Sequence, residues 1–204
     1  MTVHAGNLAL LGGELCLDFA NTIEPRGVAQ PQEFLATYSD LVAWSRHVAV
    51  LTDKQAECLL RQAAAHRAKA EAVHRRAIAL REALYRVFLS IIKGRPAEAR
   101  DLEQLNAALP PALARLRIVS LREGFAWDWR DGDGDLDRML WPIVRSAAEL
   151  LTAGPLDRLK QCAGCGWLFL DGSRNQTRRW CDMRVCGNRA KARRYYERQR
   201  KGGG

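Results

Sequence analysis

The sequence contains no apolar run close to the roughly 18 residues that a membrane-spanning helix needs. Its first residues, MTVHAGNLALLGGELC, also lack the basic n-region of a secretory signal peptide. These two absences predict a cytoplasmic protein with no membrane contact.

Recognisable catalytic motifs are also missing. The sequence has no G-x-S-x-G, no phosphate-binding loop and no H-E-x-x-H. His47, His66 and His74 each lie on a predicted helix without a cysteine or carboxylate at ligand spacing, which is typical of ordinary core or surface histidines. We therefore expect no enzyme. A catalytic site hidden in the body is the alternative, and it would need a pocket with converging titratable groups.

Excess positive charge is absent from most of the chain and concentrated at its end. Residues 158–204 hold 13 Lys and Arg against 3 Asp and Glu, whereas the preceding 157 residues hold 19 against 20. The net charge of +9 therefore belongs to the C-terminal segment. This distribution predicts a polyanion-binding module attached to a nearly neutral body.

The cysteines are segregated in the same way. Cys16 and Cys58 lie among apolar residues and are expected to be small buried side chains. The other four form the pattern C-x2-C-x15-C-x4-C and are Cys162, Cys165, Cys181 and Cys186. In a reducing compartment this pattern favours a metal over disulfides, and four thiolates suit one structural Zn²⁺. A thioredoxin-like redox pair is the alternative, but no βαβ pattern surrounds Cys162.

The periodicity of the body predicts a mainly α (α+β) fold with one β-hairpin. GGELCLDFANTI fits a short helix or a strand, and we favour a helix. We expect five further helices. The first begins at the N-cap Ser39, and the second begins at a capping box formed by Thr52 and Gln55. The other three span about 71–93, 101–109 before Pro110-Pro111, and about 137–152 with a kink or restart at Pro142.

Alternating apolar residues in RLRIVSLREGFAWDWRD predict the hairpin. Trp127 and Trp129 share one of its faces, and we expect that face to belong to the core rather than to a ligand cage. Gly154-Pro155 is the predicted end of the body.

Two stretches of the body suggest small ligands. Asp18, Asn21 and Thr22 in LDFANT form a candidate ligand pocket, although they suit the capping of local backbone equally well. DGDGDLD, residues 131–137, is similar to a calcium loop, but Leu136 and Pro142 occupy the places where that loop needs Gly and Glu. We expect a turn before a helix there, with acidic residues at the positive end of the helix dipole.

The basic segment is predicted to contain a strand, Leu168–Leu170, and a helix from about Gly187 to Lys201. Seven basic residues and one acid on this helix repel each other, and few apolar side chains remain for packing. A solvated helix is the alternative, but a polyanion would relieve the repulsion, so we favour nucleic-acid binding. The segment is too small for a sufficient core, so we expect zinc removal to unfold it alone.

The stretch CAGCGWLFLDGSRNQTRRWCDMRVCGNRAKARRYYER resembles the CGNR zinc finger, which is named for the residues found here at Cys186–Arg189. LCLDFANTI and the order of the body elements resemble the ABATE domain that accompanies this finger in bacterial proteins. The resemblance implies a stress-induced transcription regulator, with an ABATE-like, mainly helical sensor domain over 1–155 and a CGNR-type zinc finger over 156–201. The terminal glycines predict a disordered tail over 202–204.

The family's functional residues transfer onto matching positions of this sequence. The implied zinc ligands are the four cysteines of the basic segment. The implied nucleic-acid contacts are Arg174, Asn175, Arg178, Arg179, Asn188, Arg189, Lys191, Arg193, Arg194 and Arg198. The implied partners are duplex DNA and an unidentified small-molecule effector, and a homodimer is left open. An RNA-binding or protein-interaction zinc module is the alternative.

Overall fold

The computed structural model describes residues 2–130 and 135–202. Within these residues the chain is mainly α, with strands only in three antiparallel pairs. The helices are α1 (Leu15–Ala20), α2 (Tyr38–His47), α3 (Asp53–Ala65), α4 (Arg67–Ile92), α5 (Ala99–Leu113), α6 (Leu140–Ala153) and α7 (Asn188–Gly202). The strands are β1 (Ile23–Glu24), β2 (Gln32–Glu33), β3 (Leu116–Leu121), β4 (Gly124–Trp129), β5 (Leu159–Gln161) and β6 (Leu168–Leu170). None of the helices in the described ranges has an apolar stretch long enough to cross a bilayer.

The short helix α1 lies at the centre of the hydrophobic core and packs against α4 and α6. Its Leu17 and Phe19 side chains are fully buried, and the Phe19 ring lies 5.5 Å from the ring of Trp44 on α2. LCLDFA therefore forms a helix, as expected, and the chain becomes extended only afterwards at β1.

Helices α2 and α3 each begin with a capping box. The expected Thr52–Gln55 capping box is confirmed at the start of α3. The N-cap of α2 is Thr37 rather than the predicted Ser39, because Thr37 and Asp40 form a reciprocal capping box two residues earlier. Ser39 was the only N-cap predicted for this helix, but the residue three positions later is Val42, which cannot complete a capping box.

The predicted stop of α5 at Pro110-Pro111 is wrong. The helix continues to Leu113, and the amide of Ala114 still donates to the carbonyl of Pro110 at 3.0 Å. Each proline removes one helical hydrogen bond, but both lie in the last turns, where few bonds remain to be lost. Burial of Ala112 in the core keeps the final turn in place.

The last body helix, α6, begins at Leu140, three residues later than predicted. Pro142 lies in its first turn, where an amide has no helical partner to lose, so the proline requires no restart. Residues 131–134 of the stretch similar to a calcium loop lie outside the described residues. Asp135 and Asp137 pair with Arg115 and Arg76. Of the predicted tail, Gly202 belongs to α7 and residues 203–204 lie outside the described ranges.

The hairpin is confirmed, but its predicted burial is only half correct. Trp129 packs against Trp141 of α6, with ring centroids 6.0 Å apart. Trp127 is 55% exposed and Phe125 is 79% exposed, so the outer half of the hairpin extends beyond the core. Alternation predicts which side chains share a face, but not how far that face is covered.

A buried guanidinium links α4 to the β1–β2 pair. The Arg81 side chain is 2% exposed and donates to both carboxylate oxygens of Glu33 at 2.6 and 2.7 Å. It also donates to Glu82 at 2.8 Å. Burial alone would lower the pKa of Arg81, but the bonds to Glu33 outweigh it and raise that pKa. The β1–β2 segment is therefore held against the middle of α4 by charge as well as by packing.

Replacing Arg81 with Met should lower the free energy of unfolding by about 3 kcal/mol, because two carboxylates lose a buried partner. The loss stays at the low end of the usual range because Glu33 and Glu82 are partly solvated. Urea unfolding followed by circular dichroism measures it. Arg75→Met on the same helix is the control, because Arg75 is exposed and its ion pair with Glu71 is long, at 4.0 Å. This variant should change the free energy of unfolding by less than about 0.5 kcal/mol. Equal losses in both variants would contradict this role of Arg81.

Candidate metal centre and nucleic-acid interface

The first cysteine pair lies in the turn between β5 and β6. The two strands pair antiparallel, with Leu159 opposite Leu170. Inside the turn the amide of Cys162 donates to the carbonyl of Trp167 at 2.7 Å, and the amide of Gly166 donates back to Cys162 at 3.0 Å. Gly166 has φ of +79°, which a residue with a side chain rarely adopts. The strand pair and this turn set the positions of both thiols.

The second pair is brought to the first by the loop around Asp171. The buried Asp171 carboxylate accepts hydrogen bonds from Ser173 and from the amide of Arg178 at 2.9 Å. Burial opposes ionisation of Asp171, but these bonds outweigh it and lower its pKa. The amide of Ala163 then donates to the carbonyl of Arg179 at 2.9 Å, which aligns the two cysteine segments.

Cys186 lies in a single π-helical turn, Met183–Gly187, directly before α7. Asp182 caps this turn by accepting from the amide of Arg184 at 2.6 Å. A Cβ at position 164 would come within 3.0 Å of the Cβ of Cys186, so the absence of a side chain at Gly164 lets the two segments approach. The start of α7 is thereby tied to the cysteine cluster.

The four sulfurs form one buried cluster. All four lie within 4.8 Å of one another, and each cysteine is 3% exposed. The Sγ atoms of Cys165 and Cys181 are 3.6 Å apart, and those of Cys181 and Cys186 are 3.9 Å apart. A tetrahedral zinc with Zn–S bonds of about 2.3 Å requires sulfurs about 3.8 Å apart. The donor set and its spacing therefore fit one structural Zn²⁺, as the sequence pattern predicted.

The protonation chemistry of the cluster also fits a divalent cation. Hydrogen bonds from Cys165 and Cys181 lower the pKa of Cys162. The bond to Cys162 raises the pKa of Cys165 and of Cys181, and burial raises the pKa of Cys186. Four buried thiolates this close together repel each other, so full deprotonation of the set needs a nearby cation. Zinc supplies the positive charge that stabilises the fully deprotonated set.

The turn that carries the first cysteine pair also contacts the helical body. Asn21 is buried after α1, where its Nδ2 donates to the carbonyl of Leu168 and its Oδ1 accepts from the amide of Leu168, both at 2.8 Å. The indole of Trp167 donates to the carbonyl of Ile23 at 2.9 Å, and the amide of Arg26 donates to the carbonyl of Cys165 at 2.9 Å. The body and the cysteine module therefore share a continuous hydrogen-bonded interface.

Tyr85 of α4 completes this contact. Its hydroxyl donates to the carbonyl of Gly166 at 2.9 Å and accepts from Gln161 at 2.8 Å. The guanidinium of Arg26 stacks on the Tyr85 ring at 3.8 Å and pairs with Glu82 at 2.6 Å. Cys162, Cys165, Trp167, Leu168 and Phe169 belong to the same hydrophobic core as the helices.

A model of the family ABATE, described as "Putative stress-induced transcription regulator", matches residues 13–154. The chain belongs to the ABATE family. A second model, the CGNR zinc finger, matches residues 158–199. The two matches confirm the resemblance to an ABATE domain followed by a CGNR zinc finger. No curated protein matches the chain.

Asp18, Asn21 and Thr22 of the ABATE domain all use their polar atoms inside the protein. Asp18 accepts from the amide of Gly12 at 2.8 Å, and Thr22 donates to the carbonyl of Phe19 at 2.8 Å. Asn21 binds Leu168 of the finger as described above. Burial raises the pKa of Asp18 to about 6. These bonds correspond to the capping alternative, and for Asn21 the capped backbone belongs to the CGNR finger.

Most of the expected nucleic-acid contacts are exposed on the CGNR finger. The exposed members are Arg174, Asn175, Arg178, Arg179, Asn188, Arg189, Lys191 and Arg193. Among the described residues, Arg174, Lys191 and Arg193 have no ion-pair partner. Arg194 and Arg198 belong to α7, but their side chains lie outside the description.

Two of these arginines are engaged within the protein. Arg178 donates to the carbonyl of Cys181 at 2.7 Å and lies over the Phe169 ring at 4.9 Å, so it supports the finger's own loop. Arg189 is 3.4 Å from Glu24 of the ABATE domain. Sequence reasoning missed Arg184, whose side chain is 91% exposed beside the cysteine cluster. Its position between two metal ligands was the available signal.

Metal analysis of the purified protein should give one zinc per chain, and Cys181→Ser should lose it. The shared interface changes the expectation that zinc removal unfolds the finger alone. Because ABATE residues bind the backbone between Cys165 and Leu168, chelation should also lower the melting temperature of the helical domain. Calorimetry with and without chelator measures this. An unchanged helical transition after zinc loss would contradict the coupling.

Asn21→Ala should lower the free energy of unfolding by about 3 kcal/mol, since it leaves a buried amide and carbonyl of Leu168 without partners. Zinc content should stay at one per chain, because all four ligands remain. Asn106→Ala, at an exposed position of α5, is the matched control and should change stability by less than about 0.5 kcal/mol. A loss below about 1 kcal/mol at Asn21 would show that the two bonds contribute little.

Proposed function

We propose that this ABATE-family chain is a transcription regulator that binds duplex DNA through its CGNR finger. The observation that carries the proposal is the set of exposed, unpaired basic side chains on a module whose position is fixed by zinc. Arg174, Lys191 and Arg193 have no carboxylate partner among the described residues, whereas buried arginines of the body are paired. Phosphates are the ligands that such solvated cations fit.

The geometry of α7 supports duplex DNA as the polyanion. Its 15 residues span about 22 Å, and the helix begins directly at the cysteine cluster. The major groove accepts one α-helix, with basic side chains reaching the phosphates on either side. Tyr195 and Tyr196 are 60% and 65% exposed, so the helix buries little of its surface against the body. It is therefore free to lie in a groove.

The ABATE domain would then carry the regulatory input. A cavity of about 310 Å³ lies between α4, α5 and α6, with an apolar floor of Leu80, Trp141 and Val144. Arg76 and Asp137 add polar groups to its lining. This volume lies at the lower end of small-molecule sites. We propose binding of an effector there, and no catalytic step.

Changing Lys191 and Arg193 to Glu should weaken binding to a random-sequence duplex by at least about tenfold and reduce the salt slope of log K by about 2. The physical reason is the loss of two phosphate contacts and their replacement by repulsion. Fluorescence anisotropy across a salt titration measures both quantities. Zinc content and melting temperature should not change, because both side chains are exposed and neither is a metal ligand.

The matched control is Arg61→Glu with Lys69→Glu. It makes the same change in net charge at exposed positions of α3 and α4 and should leave the affinity within about twofold. Equal losses in the two double variants would mean that only total charge matters, and the proposed surface would be wrong. Tighter binding to structured RNA than to duplex DNA at every salt concentration would favour the RNA-binding alternative. Binding to neither would favour a protein partner.

A further inference from the structure

The outer half of the β3–β4 hairpin carries an apolar face that the chain itself leaves uncovered. We define the hairpin face as Ile118, Phe125 and Trp127, which are 63%, 79% and 55% exposed. The antiparallel register places Ile118 directly opposite Trp127 and Ser120 opposite Phe125, so all three apolar side chains project from one side. A patch of this kind on a soluble protein indicates an interaction site.

The backbone of the hairpin is also incomplete as a sheet. Among the described residues β3 and β4 pair only with each other, so each strand has one unpaired edge. A two-stranded hairpin is only marginally stable by itself in water, and soluble proteins usually cover or charge such edges. Contact of the hairpin face with a further protein surface would stabilise this strand pair by burying its apolar side chains.

The distribution of charge narrows the choice of partner. On the opposite side of the hairpin Arg117 pairs with Asp128 at 2.6 Å. Beside the hairpin face, Arg145 of α6 lies over the Trp127 ring at 5.0 Å and is bound to Glu149 at 2.8 Å. The exposed turn residues Arg122 and Glu123 carry opposite charges that cancel. The hairpin face itself consists of three uncharged side chains, and the flanking charges of Arg117 and Arg145 are paired. It does not suit a polyanion, and it matches another uncharged apolar face.

The same face of a second chain provides such a surface. An isologous contact places each patch against itself, which is unfavourable for a charged patch and favourable for an apolar one. Phe125 and Trp127 alone leave about 250–300 Å² uncovered on each copy. From both copies this is about one-third of a standard interface of about 1,600 Å². Ile118, the strand edges and the adjacent surface of α6 supply further area.

We propose that the chain forms a two-fold symmetric homodimer through the hairpin face. Phe125 lies at the centre of the contact because it is the most exposed of the three side chains. The dimer would carry two CGNR fingers. The association does not depend on nucleic-acid binding, and its test uses nuclease-treated protein without nucleic acid.

Sedimentation velocity at about 10 µM should show a dimer for the wild-type protein. Phe125→Lys should raise the dimer dissociation constant at least about 100-fold, because each dimer loses two aromatic anchors and gains two facing charges. Leu121→Lys is the matched control. Leu121 belongs to the same hairpin and is 57% exposed, but it projects from the opposite side, so this variant should remain dimeric.

Hydrogen exchange of residues 116–129, compared above and below the dissociation constant, provides a second measurement. The amides that pair β3 with β4 should exchange more slowly in the dimer, because burial of the hairpin face opposes opening of the strand pair. A wild-type protein that is monomeric at about 100 µM would overturn the proposal. A dimer that withstands Phe125→Lys, or that dissociates equally with Leu121→Lys, would place any association elsewhere and would overturn it too. Circular dichroism should show all three proteins folded, since neither substitution touches the core.

Discussion

The backbone between Cys165 and Leu168 is held from both sides, and the arrangement of the finger on the helices depends on it. On one side the sulfur cluster fixes the turn, with Cys165 and Cys181 in contact at 3.6 Å. On the other side Asn21, Arg26 and Tyr85 bind its amides and carbonyls. A zinc site that only stabilised the finger would leave those backbone groups to water. Here they become part of the ABATE core.

Charge is used differently in the two parts of the chain. In the ABATE domain Arg26 and Arg81 are buried, and each forms ion pairs with carboxylates, because an unpaired buried charge is strongly destabilising. Burial lowers the pKa of Arg26, and Glu82 opposes that effect. In the finger, Arg174, Lys191 and Arg193 remain solvated, so their interaction energy is available to a partner. The same residue type therefore stabilises the body and, in the proposed function, binds DNA through the finger.

The apolar surface follows a similar division. Trp129 and Trp141 close the core at the base of the hairpin, whereas Phe125 and Trp127 continue the same face into solvent. This side of the hairpin therefore belongs to the core at one end and, in the proposed dimer, contacts the second chain at the other end. The proposed dimer would therefore be continuous with the packing of α6 rather than separate from it.

The sequence by itself determined the chemistry of this protein. The spacing of four cysteines predicted the zinc ligands, and the segregation of charge located the basic module. Helical periodicity predicted the long α4, and alternation of apolar residues predicted the hairpin. These patterns are local, because a metal ligand set, a capping box or the apolar side of a helix is determined by residues close together in the chain. The extent of α5 past Pro110 was not predictable, since its last turn is held by the burial of Ala112.

Only the tertiary structure decided where the modules meet. Asn21 and Leu168 are 147 positions apart, and nothing in LDFANT distinguishes a side chain that caps its own helix from one that caps a distant strand. The inward direction of Arg178 and the exposure of Trp127 were hidden for the same reason. Each depends on which surface comes to lie beside it. Local sequence determines which kinds of group a side chain can bind, whereas long-range packing determines which of those groups lie within reach.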